Sequence, residues 1–539
     1  MNKKMLFRIA FPILAIAIVA ALGWYSYSLI KSHNEKTDMN LFGLVPPSAT
    51  AIWETNNVYE VMTSINKPGY YDKYDSLYFS EIISFLISNV EKVTDIKAHG
   101  SNKKTTNMLV SFHTPNTPKD QVLYCKLSLQ EKEHIEKFIR EHTSINFHPK
   151  TFQYRNENIT IYPVRNDDFL AFFYHPEFLA VSYQEKLIEQ VIDAYIDQQS
   201  VLSDSIFAQA FENKEEHSAS TIYLRSNVLP FEFKTEDNTN QWIEFDLKMN
   251  KDAIYLAGTT FEADSCTSSF TKVMQAQKPI KTLPSEHLPE STFFFQQFAV
   301  TDMGSLISHL NQRAYPIEVC NNATEQADSS MFVFLKENTE NRLCSFMFTT
   351  SQPDIPFSSI VHVPLKNRNI AENRFRGIQT GWAKQFTNNR YLYPNYHFNK
   401  GGVYTIYEMP GFMLLDKLTG ISKGKEQKYY GCFYHSYFLI SPYKSSLTDY
   451  ISLMENETTK ENDLVFQECI AGLAPESTGI ILTDLGEISN FNENFNHLIP
   501  PIFLNNQGFF KHFILAVQYT HNNGNLSPNI SLIYKEEQA

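Results

Sequence analysis

Cysteine is scarce in this chain: six thiols in 539 residues, none of them spaced as CxxC. That spacing rules against a zinc ribbon or a thioredoxin-type redox pair. Six thiols are also too few for the dense disulfide framework of small secreted domains. Cys320 and Cys344 are placed to pair if the chain folds back between them; otherwise the thiols read as small buried hydrophobes. Basic residues are also in deficit, 46 Lys and Arg against 59 Asp and Glu, a net charge of −13. No basic face is visible, so a nucleic-acid partner is not expected, and the acidity reads as solubility.

Catalytic signatures are missing as well. There is no HExxH pair for zinc and no GxSxG nucleophile elbow. Gly420-Ile421-Ser422-Lys423-Gly424-Lys425 has the residue types of a phosphate loop without the GxxxxGK[ST] spacing. No catalytic, cofactor-binding or metal-ligating residue is therefore assigned, no cofactor is expected, and the balance leans against an enzyme.

One long apolar run is present, from Ile9 to Ile30. It follows Lys3, Lys4 and Arg8 and ends near Trp24, Tyr25 and Tyr27. Roughly 22 residues at 1.5 Å each suffice to cross a bilayer, and the basic side stays cytoplasmic. A cleaved signal peptide would have a shorter apolar core, and Ala20-Ala21-Leu22-Gly23 is a mediocre cleavage site. The expectation is a cytoplasmic tail at 1–8, a transmembrane anchor at 9–30 and a tether at 31–43.

Aromatics are abundant, with 42 Phe and 29 Tyr, and such residues suit pleated sheets. The chain also repeats itself. Phe173-Tyr174-His175-Pro176-Glu177-Phe178-Leu179 returns as Phe433-Tyr434-His435-Ser436-Tyr437-Phe438-Leu439, at a shift of 260 (433 − 173). Further matches run in the same order: Pro47 with Pro289, Ile161 with Ile406, Ser220 with Ser477. Collinear matches with drifting gaps indicate a duplication. The expected fold is α+β: an N-terminal transmembrane helix followed by two duplicated halves, 44–280 and 284–539, with mostly antiparallel sheets.

Several elements are legible. Strands are expected at Asn107–His113, Gln121–Leu127, Ile159–Val164, Phe169–Tyr174, Phe178–Val181, Met331–Leu335, Leu343–Thr349 and Ser358–Val363. Helices are expected at Val58–Ile65, Ser76–Val93, Gln130–His142, Tyr183–Ile196, Ile206–Phe211, Asp302–Leu310 and Lys444–Met454. Hairpins are expected over 242–260 and 510–534.

Proline, any residue, a small residue and Thr recur at Pro47, Pro289 and Pro475, each before an apolar strand. With the N-terminal run, this resembles a group of uncharacterised bacterial membrane-anchored envelope proteins built from duplicated α+β modules. The resemblance covers most of the chain. It implies the fold and implies no activity, so no catalytic residue is carried over.

His175 and His435 occupy equivalent positions in the repeat, beside Tyr174 and Tyr434. A paired acid/base site is the chemical reading; hairpin-end residues bonding their own loops is the structural one. No nucleophile or carboxylate repeats with them, which favours the structural reading. Glu131, His134 and His142 share a charged helix and read as a solvated face. Asp167-Asp168 reads as a turn, Asn321-Asn322-Ala323-Thr324 and Asn522-Asn523-Gly524-Asn525 as hairpin tips, and Phe293-Phe294-Phe295 as a buried strand or an apolar groove.

Two functions follow as expectations. The leading one is a membrane-tethered, extracytoplasmic (periplasmic) binding or scaffold protein, held by one helix and contacting an envelope protein or polymer. The alternative is an envelope-polymer hydrolase with its site between the two halves.

Overall fold

The structure is a computed structural model. It describes residues 39–56, 108–115, 117–126, 149–163, 169–212, 220–225, 241–250, 252–263, 270–301, 303–304, 322–350, 357–400, 402–411, 428–488, 503, 507–522 and 525–535. The expected anchor at 9–30 and the helices at 58–65, 76–93 and 130–142 lie outside them. Among the described residues no helix is long and apolar enough to cross a membrane. The expected class is therefore corrected. What is observed is mostly antiparallel sheet, and the membrane and signal-anchor description is not carried further.

The described residues up to Asp204 form one compact unit, and those from Ser205 onward a second. The first unit holds β1 (Ala51–Thr55), β2 (Met108–Phe112), β3 (Gln121–Lys126), β4 (Lys150–Tyr154), β5 (Glu157–Pro163), β6 (Phe169–Tyr174) and β7 (Phe178–Ser182). They pair antiparallel in the order β1-β2-β3-β7-β6-β5-β4. Helix α1 (Glu185–Asp197) lays Leu187, Ile188, Val191 and Ile192 on this sheet, the i, i+1, i+4, i+5 face of an amphipathic helix. Tight turns join neighbouring strands. Arg155 and Asn156, both at positive φ, close β4 to β5, as two-residue hairpin loops require.

The second unit holds β8 (Ser220–Arg225), β9 (Gln241–Met249), β10 (Ala253–Glu262), β11 (Ile280–Lys281), β12 (Thr292–Ala299), β13 (Arg342–Phe348) and β14 (Ser358–Pro364). It continues with β15 (Asn395–Asn399), β16 (Gly402–Pro410), β17 (Lys428–Tyr434), β18 (Tyr437–Ser441), β19 (Glu476–Ser477), β20 (Gly479–Asp484), β21 (Phe513–Asn522) and β22 (Asn525–Tyr534). Its main antiparallel sheet runs β8-β9-β10-β22-β21-β20-β12-β13-β14-β18-β17-β16-β15. β11 pairs separately with β19. The helices include α2 (Ser205–Glu212), α3 (Phe270–Gln275), α4 (Asn322–Asn338), α5 (Arg368–Gln385), α6 (Lys444–Glu455) and α7 (Leu464–Ala471).

The order β12-β13-β14-β18-β17-β16-β15 has the same succession as β1-β2-β3-β7-β6-β5-β4. The ladders correct the residue matching, however. Ser182 Oγ donates to the Gln121 carbonyl and accepts from the Gln184 N–H; Ser441 Oγ does the same with Ser359 and Tyr443. That is a shift of 259 (441 − 182), not 260. The same shift relates Val201 to Lys460, whose N–H groups reach the carbonyls of Val45 and Leu288. The hairpin tip explains it. His175 N–H bonds the Phe178 carbonyl around Pro176-Glu177, whereas Tyr434 pairs Tyr437 around His435-Ser436. Turn geometry sets register, and a one-residue slip moves side chains to the other face.

The last hairpins of the two series meet in the second unit. β21–β22 closes at Asn522 and Asn525, β9–β10 at Asn250 and Ala253, a shift of 272 (525 − 253). β10 pairs with β22, and Ala257 faces Asn529. Since 529 − 257 is also 272, Ala257 faces its own counterpart across a local two-fold axis.

One expected strand is a helix. Met331–Leu335 belongs to α4, where Ala327, Met331, Phe334 and Leu335 are buried while Val333 is exposed. A short apolar run fits either element, and here burial follows helical spacing. The same helix takes in residues 322–324 of the hairpin tip expected at Asn321–Thr324. Packing around β17 is close. A Cβ on Gly431 would lie 2.6 Å from Phe438 Cζ, so Gly431→Ala should destabilise the second unit by about 1–3 kcal/mol, read from urea unfolding. An unchanged midpoint would refute that packing.

Candidate binding edge and buried histidine cluster

The structure places His175 and His435 differently. His175 follows β6, its Nε2 3.0 Å from Tyr195 Oη and its ring stacked on Phe178 at 4.7 Å. His435 lies in the β17–β18 turn at φ 46°, its carbonyl accepting from Arg368 Nη1 at 3.0 Å. They are not counterparts, so the paired-site reading has no geometric basis. Glu131, His134, His142, Asp167, Asp168 and Gly420–Lys425 lie outside the described residues. Phe293, Phe294 and Phe295 are buried in β12 and form no open groove.

Strand pairing gathers a cluster that sequence spacing did not reveal. His362 of β14 lies opposite Cys344 of β13, and its ring centroid is 4.1 Å from that of Tyr437 and 5.9 Å from that of His287. His287 Nε2 is 3.2 Å from Tyr437 Oη. Neither ring nitrogen of His362 has a hydrogen-bond partner among the described residues. Burial first, then the charges of His287 and Arg342, lower its pKa to about 3. Burial pushes the Cys344 thiol up to about 12. A neutral imidazole beside an un-ionised thiol gives neither a cation nor a ready nucleophile. Among the described residues no group of three or more His, Cys, Asp or Glu is arranged to hold a metal ion.

A second polar group lies on α6. Glu455 Oε1 accepts from Tyr404 Oη at 2.7 Å and Tyr434 Oη at 3.0 Å. These hydroxyls, Tyr404 foremost, hold the carboxyl below its ordinary range against the opposing effect of desolvation. A glycosidase acid requires the opposite, a raised carboxyl pKa.

The third feature is the β15 edge. β15 ends the sheet order, and among the described residues no strand pairs with its outer side. Asn395, Asn399 and Tyr404 face α6, bonding Lys444, Ser452 and Glu455. The opposite face is open. Tyr396 is 59 % exposed, Phe398 73 % and Val403 56 %, and the preceding Leu392 and Tyr393 are also exposed. The closing pair is Asn399–Gly402. In an antiparallel ladder hydrogen-bonded and free pairs alternate, so the N–H and C=O groups of Tyr396 and Phe398 point to the empty edge.

The charge here runs against the rest of the molecule. From 373 to 407 there are five basic residues, Arg374, Arg376, Lys384, Arg390 and Lys400, and no Asp or Glu. Arg374 and Arg376 meet Glu337 and Glu372. Nearby, Glu408 pairs with Lys428. The corresponding edge of the first unit is polar. β4 exposes Lys150, Thr151 and Gln153, and the adjoining Arg155 pairs with Asp193 and Asp197. A lysine and short polar side chains are a usual protection of a free edge; β15 has Pro394 before it and Lys400 after it, and within the strand it exposes Tyr396 and Phe398 instead. No element is expected from sequence over 364–402. The signal was the alternation in Asn395-Tyr396-His397-Phe398-Asn399, short enough to be hidden between a helix and a Gly-Gly turn.

No family model matches the chain. No curated protein matches it. Among solved structures, a similar chain is the one titled "Structure of crystal form III of TP0453", at 11 % identity and a TM-score of 0.25, with 46 % of this chain and 90 % of that chain covered. A TM-score that low carries no argument about fold or function.

Proposed function

We propose that this chain is a non-enzymatic binding or scaffold protein whose contact surface is the open face of the β15–β16 hairpin. The observation that supports it is the exposed set Tyr396, Phe398 and Val403 on an edge that has no strand partner among the described residues. Exposed aromatics of this kind supply the anchors of many interfaces. The bulk of the chain works outside the cytoplasm in this proposal, because Lys3, Lys4 and Arg8 before the apolar run have the charge pattern of an export signal. The lowered pKa of Glu455 does not suit it to be the general acid of the hydrolase alternative.

A photo-crosslinking residue at Phe398 should trap a discrete partner in intact cells, and one at Gln153 on the β4 edge should not. No adduct at 398, or equal adducts at both positions, would overturn the reading. Tyr396→Ser with Phe398→Ser should change stability by less than about 0.5 kcal/mol per site, because both side chains are exposed. Thermal melts check this; a larger loss would place the rings in the core.

A further inference from the structure

We infer that the outer edge of β15 accepts an extended, carboxylate-rich segment of a partner protein as an added β-strand. This rests on the binding reading above and names the chemistry of its partner. The free groups on the edge are of both kinds. Tyr396 and Phe398 each present an outward N–H and an outward C=O, by the register that closes at Asn399–Gly402. A peptide backbone supplies acceptor and donor at matching intervals. A lipid headgroup or a nucleic-acid backbone does not present donors and acceptors alternating at the spacing of a strand.

Side chains set the selectivity. An added strand lies beside Tyr396 and Phe398, whose exposed rings receive alternate apolar residues. Lys384 and Arg390 are exposed on the segments leading into this hairpin, and Lys400 at its tip donates to the Glu455 carbonyl, in a stretch from 373 to 407 that has no acidic residue. Such a setting favours glutamate or aspartate at the intervening positions. It also disfavours a second copy of the chain pairing through the same edge, because two basic stretches would be brought together. The contrast with β4 is an internal control. The same place in the strand order there carries Lys150 and Thr151, and Thr151 Oγ1 is engaged with Thr160 Oγ1 at 3.1 Å.

The test uses the full chain and short synthetic peptides, with binding followed by calorimetry. A peptide of alternating Glu and Val should bind saturably. The Lys-for-Glu version, and the Glu–Val peptide N-methylated at alternate residues, should each bind at least about tenfold more weakly. Tyr396→Ser with Phe398→Ser should weaken the Glu–Val peptide by a similar factor, while Gln153→Ser should leave it unchanged. Equal binding of the N-methylated peptide would overturn strand addition. Equal binding of the Lys–Val peptide would overturn the acidic preference. Binding of phosphatidylglycerol vesicles without any peptide binding would replace the protein partner with a lipid surface. If no peptide binds but the Phe398 crosslink still forms, this inference fails and the binding reading stands; if both fail, both are lost.

Discussion

Truncating Phe438 to Ala should destabilise the second unit by about 3–5 kcal/mol, the range for a fully buried Phe. Phe438 has no exposed surface and stands at the meeting of three elements. Its ring centroid is 5.4 Å from that of Phe334 on α4, 5.0 Å from Phe375 on α5 and 4.6 Å from Phe433 on β17. Helices and strands both surround the vacated volume, so neither collapses into it freely. Phe178→Ala should cost a comparable amount in the first unit, where Phe178 is fully buried against Phe173, Tyr195 and His175. Denaturant unfolding followed by probes in each unit should show each variant lowering mainly its own unit's transition. A loss below about 1 kcal/mol at either site would mean these rings are not packed as described.

Acid should unfold the protein from well above the carboxylate range. His362 in the second unit has its pKa lowered from 6.5 to about 3, and His113 in the first from 6.5 to about 4, in both cases by burial. Both fold neutral. Between the folded and unfolded pKa values the unfolded chain binds more protons, so stability rises with pH there. It is complete above about 6.5 and is lost as pH falls toward 3–4. Each histidine contributes a slope of at most about 1.4 kcal/mol per pH unit. The lowered carboxyls of Glu455 and Asp463 act the same way but only below their own ordinary range. His362→Leu removes the titration and two ring nitrogens that have no partner among the described residues. It should flatten the pH dependence of the second unit between about pH 6 and 4.5, raise its stability at the acid end, and leave the first unit's slope unchanged. An unaltered slope in that variant would show that His362 is not buried neutral.

His362 also shows why part of the candidate chemistry was not legible in the sequence. Alternation in Ser358–Val363 marks a strand, and nothing in it says that both faces are covered. Its surroundings come from β13, β18 and the segment at His287; Leu439, opposite it on β18, is 77 residues away along the chain (439 − 362). The Phe173 and Phe433 stretches illustrate a second limit. Their identities align at 260, while the hydroxyls of Ser182 and Ser441 and the two turns align the strands at 259. Residue identity records ancestry of letters; hydrogen-bond register is set by where each turn closes.

The sequence by itself determined the local elements whose signals are periodic or punctuated. Examples are the hairpin from Gln241 to Glu262 with its Asn250 turn, the strands Met108–Phe112 and Arg342–Phe348, and helix Lys444–Glu455. These depend on alternation, helical spacing and turn residues a few positions apart. Only the tertiary structure decided that Met331–Leu335 is helical, that His362 is buried with a lowered pKa, and that β4 and β15 end their strand orders with different surface character. Burial and edge position are properties of what lies beside a strand, and its neighbours are chosen by pairing across tens or hundreds of residues, which no local pattern encodes.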